Sequence, residues 1–273
     1  MTINCKGTLI DLAFPKVMGI LNITPNSFYD GGNYKNEKDI INQVEKMLQQ
    51  GATFIDVGAY SSKPNAEFVS ESDEINRLIR VIKLLVNKFP KILLSVDTFR
   101  SEVAQMAVEE GACMINDISA GLLDIKMIET VAKLQVPYIM MHMRGNPQTM
   151  QQLTHYDDLV KEMIFYFSDR VQIARSFGIN DIIIDPGFGF AKNLEQNYEV
   201  LSKLELFSML ELPILAGLSR KSMIYKPLEC TPQEALNGTS VLNTLAILKG
   251  AQILRVHDVK EAVECITLLN KIP

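Results

Sequence analysis

Asp97, Asn116 and Asp185 each close a short apolar run, in LLSVD, CMIND and IIID, and together they offer two carboxylates and one amide to whatever lies between them. A carboxylate can accept two parallel hydrogen bonds, so this set suits a flat heterocycle that presents several N–H donors along one edge. Lys221, in GLSRKS, adds a cation able to meet a carbonyl or ring nitrogen, and Arg255 with His257, in ILRVH, adds groups suited to an anion. The chemistry these residue types point to is recognition of a polar aromatic ring on one side and an anion on the other. A further stretch, NITPNSFYDGG at 22–32, runs on from the first apolar segment and is dense in Asn, Pro, Ser and Gly. It also carries Phe28 and Tyr29, which an ordinary surface turn does not need.

These side chains act together only if the elements before them converge. Short β-branched runs alternate with amphipathic stretches along the whole chain, the pattern of repeated βα units and a parallel sheet. Strands are expected at VMGIL (17–21), TFIDVG (53–58), ILLSV (92–96), CMIND (113–117), YIMMHM (138–143), IIIDP (182–186), PILAG (213–217) and ILRVH (253–257). Helices are expected over 38–50, 71–88, 100–110, 124–134, 157–177, 194–208, 232–249 and 258–270. In the second of these Ile75, Leu78, Ile79, Ile82 and Leu85 recur at helical spacing with charges between them. Gly51, Gly111, Gly178 and Gly250 stand where helices should stop, and GATFIDV, GACMIND and GAQILRV repeat a Gly-Ala pair before a strand. Eight βα units in about 250 residues match a (β/α)₈ TIM barrel, whose functional face is built from the loops after the strands. An open doubly wound sheet is the runner-up, but it would want a Gly-rich phosphate turn after the first strand, and no GxGxxG occurs there. Residues 2–14 should form a short hairpin closing the barrel floor, and with no linker or low-complexity segment the chain is expected to be one domain over 1–273.

In a barrel the residue after each apolar run faces the mouth, which here gathers Asn22, Asp56, Asp97, Asn116, His142, Asp185, Lys221 after a short loop, and Arg255 with His257. Any one of them alone reads as a hydrated rim residue. So many converging charges are costly unless a ligand, or each other, satisfies them. The Met residues of YIMMHM could floor a ring or simply pack the core. His142, inside an apolar strand, reads as a hydrogen-bonded structural imidazole rather than a base, and Asp56 as a residue that orients the loop after its strand. A metal held wholly by protein needs three or four close ligands, which Asn22 alone does not provide; a magnesium ion carried mainly by a substrate's phosphates and touching Asn22 is compatible.

The chain has 273 residues, 47% hydrophobic and 22% charged, with a net charge of -5. Lys and Arg are scattered, so there is no basic stripe for a phosphate backbone and nucleic acid is excluded as the expected partner. No apolar run approaches the roughly 18 residues of a membrane span, and the N-terminus shows neither a basic start with an apolar segment nor a small-residue cleavage site. Cys5, Cys113, Cys230 and Cys265 are dispersed without metal spacing and read as reduced thiols. A cytoplasmic protein without a membrane partner is the expectation.

The segments MGILNITPNSFYDGG, IDVGAYSSKP, SVDTFR, INDIS, MMHMRGNPQTMQ, IDPGFGF, GLSRKS and LRVHDV, in this order, resemble the dihydropteroate synthases, the folate-pathway enzymes inhibited by sulfonamides. The resemblance runs from about residue 7 to the end of the chain. It implies a (β/α)₈ barrel, usually a homodimer, that joins 6-hydroxymethyl-7,8-dihydropterin pyrophosphate to p-aminobenzoate and releases pyrophosphate. It implies further that Asp97, Asn116, Asp185 and Lys221, with Met140 and Gly217, read the pterin. Arg255, His257, Lys63 and, through Mg²⁺, Asn22 would meet the pyrophosphate. p-Aminobenzoate would lie among Pro25, Phe28, Ser62, Pro64, Phe190, Ser219, Lys221 and Ser222, with Thr24 to Gly32 closing over it as a lid. Lys221, Arg255, His257 and Asp97 are the residues expected to carry catalysis.

One segment departs from the family pattern. Where most relatives read ESTRPGA, this chain has YSSKPNA, so Tyr60, Ser62, Lys63 and Asn65 replace Glu, Thr, Arg and Gly. Ser keeps the hydroxyl, but Lys loses the planar fork that grips an anion through two parallel bonds. Two other readings compete. A pterin-binding methyltransferase barrel would share the acids and Asn but not the intact SRKS and TPNSF segments, and a catalytically silent paralogue would have lost the cations retained at Lys221, Arg255 and His257.

Overall fold

The computed structural model describes residues 1–23, 34–60 and 69–272. β1 (Thr2–Cys5) and β2 (Thr8–Asp11) form an antiparallel hairpin. There follow β3 (Lys16–Asn22), α1 (Tyr34–Gln49), β4 (Phe54–Gly58), α2 (Glu71–Lys88), β5 (Leu94–Asp97), α3 (Ser101–Glu109), β6 (Met114–Asp117), α4 (Met127–Leu134) and β7 (Tyr138–Met141). The second half continues with α5 (Leu159–Ser176), β8 (Ile182–Asp185), α6 (Leu194–Ser202), β9 (Leu215–Ala216), α7 (Ser222–Tyr225), α8 (Leu236–Leu248), β10 (Ile253–Val256) and α9 (Val259–Leu269).

The eight strands β3 to β10 make one sheet in the order β8-β7-β6-β5-β4-β3-β10-β9, every pair parallel. A bridge between Ile184 and Ile214 closes β8 onto the start of β9, so the sheet becomes the expected barrel. The closing seam is short because Pro213 can accept from Ile184 N–H, at 2.9 Å, but has no N–H of its own to extend the ladder. Positive φ at Gly51 (99°), Gly111 (121°), Gly178 (90°) and Gly250 (99°) ends four of the helices, as their sequence positions predict.

The site follows from a period of two along each strand. Met18, Phe54, Met114, Ile139, Ile183, Leu215 and Ile253 point inward and pack with Ile3, Cys5 and Leu12 of the hairpin segment, which floors the barrel. Cys5 and Cys113, distant in sequence, meet in this layer as free thiols. Alternate residues, such as Ile55, Ile115, Met140, Ile184, Ala216 and Leu254, point outward into the larger core beneath the helices. Two residues above the floor, therefore, Phe54 leads to Asp56, Met114 to Asn116, Ile139 to Met141, Ile183 to Asp185, Leu215 to Gly217 and Ile253 to Arg255.

Several elements differ from the sequence expectation: the first helix begins at Tyr34 rather than 38, the strand expected over 213–217 is only Leu215–Ala216, the short helix Ser222–Tyr225 has no counterpart among the expected helices, and two further differences have a side-chain cause. The helix expected over 194–208 stops at Ser202, whose hydroxyl bonds back to the carbonyl of Glu199 at 2.8 Å, and continues as a 3₁₀ segment, Leu204–Leu210. The helix expected from 232 begins at Leu236, because Thr231 and Glu234 close a separate turn through their side chains at 2.8 Å.

Candidate functional site

The mouth layer places Asp56, Asp97, Asn116, Asp185 and Arg255 around one opening, each on its own strand end. At the centre is Arg255, whose Nε donates to Asp56 Oδ2 at 2.6 Å and whose Nη2 donates to Asp97 Oδ2 at 2.7 Å. Asn116 Nδ2 donates to the same Asp56 oxygen at 3.0 Å. Asp56 is wholly buried, whereas the side chain of Asp97 keeps 18% of its surface exposed to the opening. Asp56, expected to orient the loop after its strand, is instead seen anchoring Arg255 and Asn116.

Across the opening, Asp185 accepts the N–H of Gly187 at 2.8 Å, which caps the loop after β8. Gly187 sits at φ 68°, and a Cβ there would come within 2.3 Å of the His142 carbonyl, so no other residue fits this turn. Gly217 lies between Asp185 and Lys221: a Cβ on it would stand 3.7 Å from Lys221 Nζ and 4.0 Å from Asp185 Oδ2, in van der Waals contact with both charged groups. Lys221 Nζ donates to the carbonyl of Phe188 and lies 5.0 Å from the centre of the Phe190 ring. Lys221 immediately precedes α7, which starts at Ser222. The segment is held by Arg220, in left-handed backbone at φ 57°, whose side chain grips Asp258 at 2.9 and 2.6 Å and whose N–H donates to Thr239 Oγ1 at 3.2 Å. Ser219 Oγ accepts the N–H of His257 at 3.2 Å and lies 3.1 Å from its Nδ1, so the two residues are tied to each other at the rim.

The charges are balanced closely enough to titrate near neutrality. Burial raises Asp97 to about 7 against the pull of Arg255, and burial lowers Lys221 to about 8 against the pull of Asp185. Burial also raises Asp185, opposed by Lys221. Arg255 loses to burial but gains more from Asp56 and Asp97 and is held above its ordinary value. A ring with edge donors placed against Asp97, Asn116 and Asp185 would therefore meet one acceptor, Asp97, whose protonation changes near neutrality.

The structure brings together Asp97, Asn116, Asp185, Gly217, Lys221, Arg255, Ser219 and His257, with Phe190 beside Lys221, Ser222 opening the next helix, and Asn22 exposed at the end of β3, level with Gly58. Met140 does not belong there. It pairs in register with Ile184 and packs outward under the helices, while Met141 pairs with Asp185 and clusters with Ile118, Met143, Phe99 and Phe190 at the mouth. His142, also expected to face the mouth, is turned outward, with its ring 4.8 Å edge-on to Tyr166 of α5. The pairing of YIMMHM with IIID carried the signal for both, since Asp185 sets the phase. Pro25, Phe28, Ser62, Lys63 and Pro64, and the whole of the expected lid, Thr24 to Gly32, lie outside the described residues. Tyr60 packs edge-on against Phe99 at 5.2 Å, and Arg100, 5.5 Å from the Tyr60 ring centre, is paired with the buried Glu74.

No group of three or more His, Cys, Asp or Glu that could hold a metal occurs among the described residues. The single oxygen donor of Asn22 fits a magnesium ion whose other ligands come from substrate phosphates and water. No helix among the described residues is long and apolar enough to cross a membrane.

A family profile described as pterin binding enzyme matches residues 18–257. The dihydropteroate synthase of Escherichia coli K12 is 42% identical over 272 residues, covering 99% of this chain and 96% of that one. That of Synechocystis is 46% identical over 247 residues, covering 89% and 85%. Among solved structures, the Yersinia pestis dihydropteroate synthase with a sulfonamide drug complex superposes with a TM-score of 0.93 at 40% identity, covering 99% of this chain and 98% of that one. The Xanthomonas albilineans dihydropteroate synthase with 4-aminobenzoic acid does so with a TM-score of 0.92 at 37% identity, covering 99% and 97%.

Proposed function

The chain belongs to the dihydropteroate synthase family of pterin-binding enzymes, and on that premise we propose how its barrel mouth joins 6-hydroxymethyl-7,8-dihydropterin pyrophosphate to p-aminobenzoate. The observation that carries the reading is the convergence of Asp97, Asn116, Asp185 and Arg255 in one layer of the barrel, with Lys221 brought beside Gly217 by the loop after β9. The carboxylates and amide take the N–H edge of the pterin, Lys221 takes a carbonyl or ring nitrogen, and Gly217 leaves room for the ring. Met141, rather than Met140, supplies the apolar contact.

Arg255 serves two partners. Nε and Nη2 hold the acids in position, and Nη1 is directed to the pyrophosphate, which His257, Lys63 and Asn22 also meet. A pyrophosphate-borne Mg²⁺ would supply neutralisation of the leaving group's charge. p-Aminobenzoate lies toward Phe190, Ser219, Lys221 and Ser222, with Phe28, Pro25, Ser62 and Pro64 completing its site, the place a sulfonamide would take.

Displacement is largely dissociative: the C–O bond to pyrophosphate breaks ahead of attack, and the arylamine captures the pterin-stabilised methylene cation. The amine is neutral at pH 7 and needs no strong base. Rate enhancement comes from holding the partners in line and from stabilising the departing charge.

The chain forms one domain and pairs as a homodimer on this reading. α8 supports the second point, since it packs against α9 and exposes Val241 and Leu248, while α9 exposes Leu268. Four free cysteines fit a reducing, cytoplasmic setting. Incubation with the pterin pyrophosphate, p-aminobenzoate and Mg²⁺ should give dihydropteroate by mass together with free pyrophosphate. Absence of both products, where a control enzyme makes them, would overturn the reading.

A further inference from the structure

Lys192 follows the loop after β8, and no role for it emerges from the sequence, yet its side chain is buried, with 3% exposure. A buried ammonium persists only when its N–H groups are taken. Here Nζ donates to the carbonyls of Gly187 and Phe190 at 3.1 and 3.0 Å and lies 3.1 Å from Nδ1 of His142. With the ammonium charged, Nδ1 must accept, which leaves the imidazole neutral with its proton on Nε2. Burial drives both groups the same way, lowering Lys192 to about 7 and His142 well below its ordinary value.

The two carbonyls are the ends of one tight turn, in which Phe190 N–H also donates to Gly187 O at 3.0 Å. That turn bears the Phe188 carbonyl, which receives Lys221, and the Phe190 ring, which lies against the same nitrogen. The turn is not self-supporting. Its backbone passes through left-handed conformations at Gly187 (68°), Gly189 (83°) and Ala191 (48°), the last a side-chain-bearing residue that must be held there from outside. Asn197 accepts Gly189 N–H at 2.6 Å and Tyr156 donates to the Ala191 carbonyl at 2.8 Å, but the two carbonyls flanking Phe188 and Phe190 are tied by Lys192.

We propose that Lys192 is a positioning residue for this reaction: from behind the loop it fixes the 187–190 turn and so sets the Phe188 carbonyl and the Phe190 ring against Lys221, which governs arylamine binding more than pterin binding. Asp97 and Asn116 stand on β5 and β6 and receive no contact from it, so these two pterin readers are set independently, while Asp185 keeps the Gly187 N–H as its cap. The inference rests on the placement of Phe190 beside the arylamine made above.

The test is a steady-state and calorimetric comparison of Lys192→Met, Phe190→Ala and a control, Ile183→Val, in the barrel floor. Lys192→Met should raise KM for p-aminobenzoate at least tenfold while the pterin pyrophosphate Kd changes less than threefold. Ile183→Val should lower thermal stability without splitting the two substrates. If Phe190→Ala raises KM for p-aminobenzoate and Lys192→Met does not, or if Lys192→Met weakens both substrates equally, the inference is wrong. If Phe190→Ala leaves KM unchanged, the arylamine placement falls and takes the inference with it. Should Lys192→Met fail to fold, His142→Phe, which keeps an aromatic ring in place but removes the Nδ1 acceptor together with Nε2, should raise the same KM about threefold; an unchanged value would equally refute the role.

Discussion

Arg255→Met removes a guanidinium that two carboxylates share. Asp56, wholly buried, would keep only Asn116, and its Oδ1 already has no hydrogen-bond partner among the described groups. Removing one member of a buried ion pair costs about 3–5 kcal/mol. The lower end applies, about 3 kcal/mol, because Asp97 reaches solvent through 18% of its side-chain surface and can shed its share. With a urea dependence of about 3 kcal/mol per M, the unfolding midpoint should fall by about 1 M. A second change, Asp56→Asn, takes away the stranded charge, so the double variant should be more stable than Arg255→Met by about 1 kcal/mol or more.

The same variant has a pH signature. Arg255 is the main group opposing the burial that raises Asp97 to about 7, so without it Asp97 stays protonated to higher pH. Pterin affinity, measured by calorimetry from pH 6 to 9, should have its acid limb near 7 in the parent and shifted upward in Arg255→Met. The linkage sign is that of a raised acid: the folded state holds this proton between the ordinary carboxylate range and about 7, so its stabilising contribution is present at low pH and is lost as pH rises through 7. A urea midpoint within 0.3 M of the parent, or a double variant no more stable than the single, would refute the shared-counterion reasoning.

The parent's kcat/KM should be bell-shaped, falling below about 7 as Asp97 gains a proton and above about 8 as Lys221 loses one; a flat profile across that interval would show that neither titration governs catalysis. Met140→Ala should destabilise the barrel by about 2–5 kcal/mol in thermal or urea unfolding with pterin affinity intact, whereas Met141→Ala should weaken pterin binding with a smaller loss of stability, and the reverse assignment would contradict the strand phase. Asp185→Asn should abolish calorimetric pterin binding, and retained affinity would reject the edge-reading role. Phe28→Ala should weaken p-aminobenzoate but not pterin, and Lys63→Ala should raise a KM or lower turnover at least tenfold, the two measurements together testing the loops that lie outside the described residues.

Local periodicity made much of this molecule legible. Runs of β-branched residues at short spacing, amphipathic stretches between them and glycines at helix ends are properties of neighbouring residues, and they marked eight strands and the barrel they form. Polar residues ending those runs likewise marked Asp97, Asn116, Asp185 and Arg255 as one group. The phase of a strand is less secure, because a slip of one residue exchanges its faces. YIMMHM contains Met at three positions, so composition could not say which faces the mouth, and only pairing with Asp185 selected Met141 and turned His142 toward the helices.

What the sequence alone determined, then, was the architecture and the inventory of the site, since both are written in short-range pattern and residue type. What the tertiary structure decided was who partners whom. Arg255 meets Asp56 and Asp97 across 199 and 158 residues of chain, and Lys192 clamps a turn while touching His142 from 50 residues away. Such contacts are set by strand order, register and closure of the barrel. They decide which charges are neutralised, which remain for a ligand, and why a lysine with no motif of its own is buried behind the site.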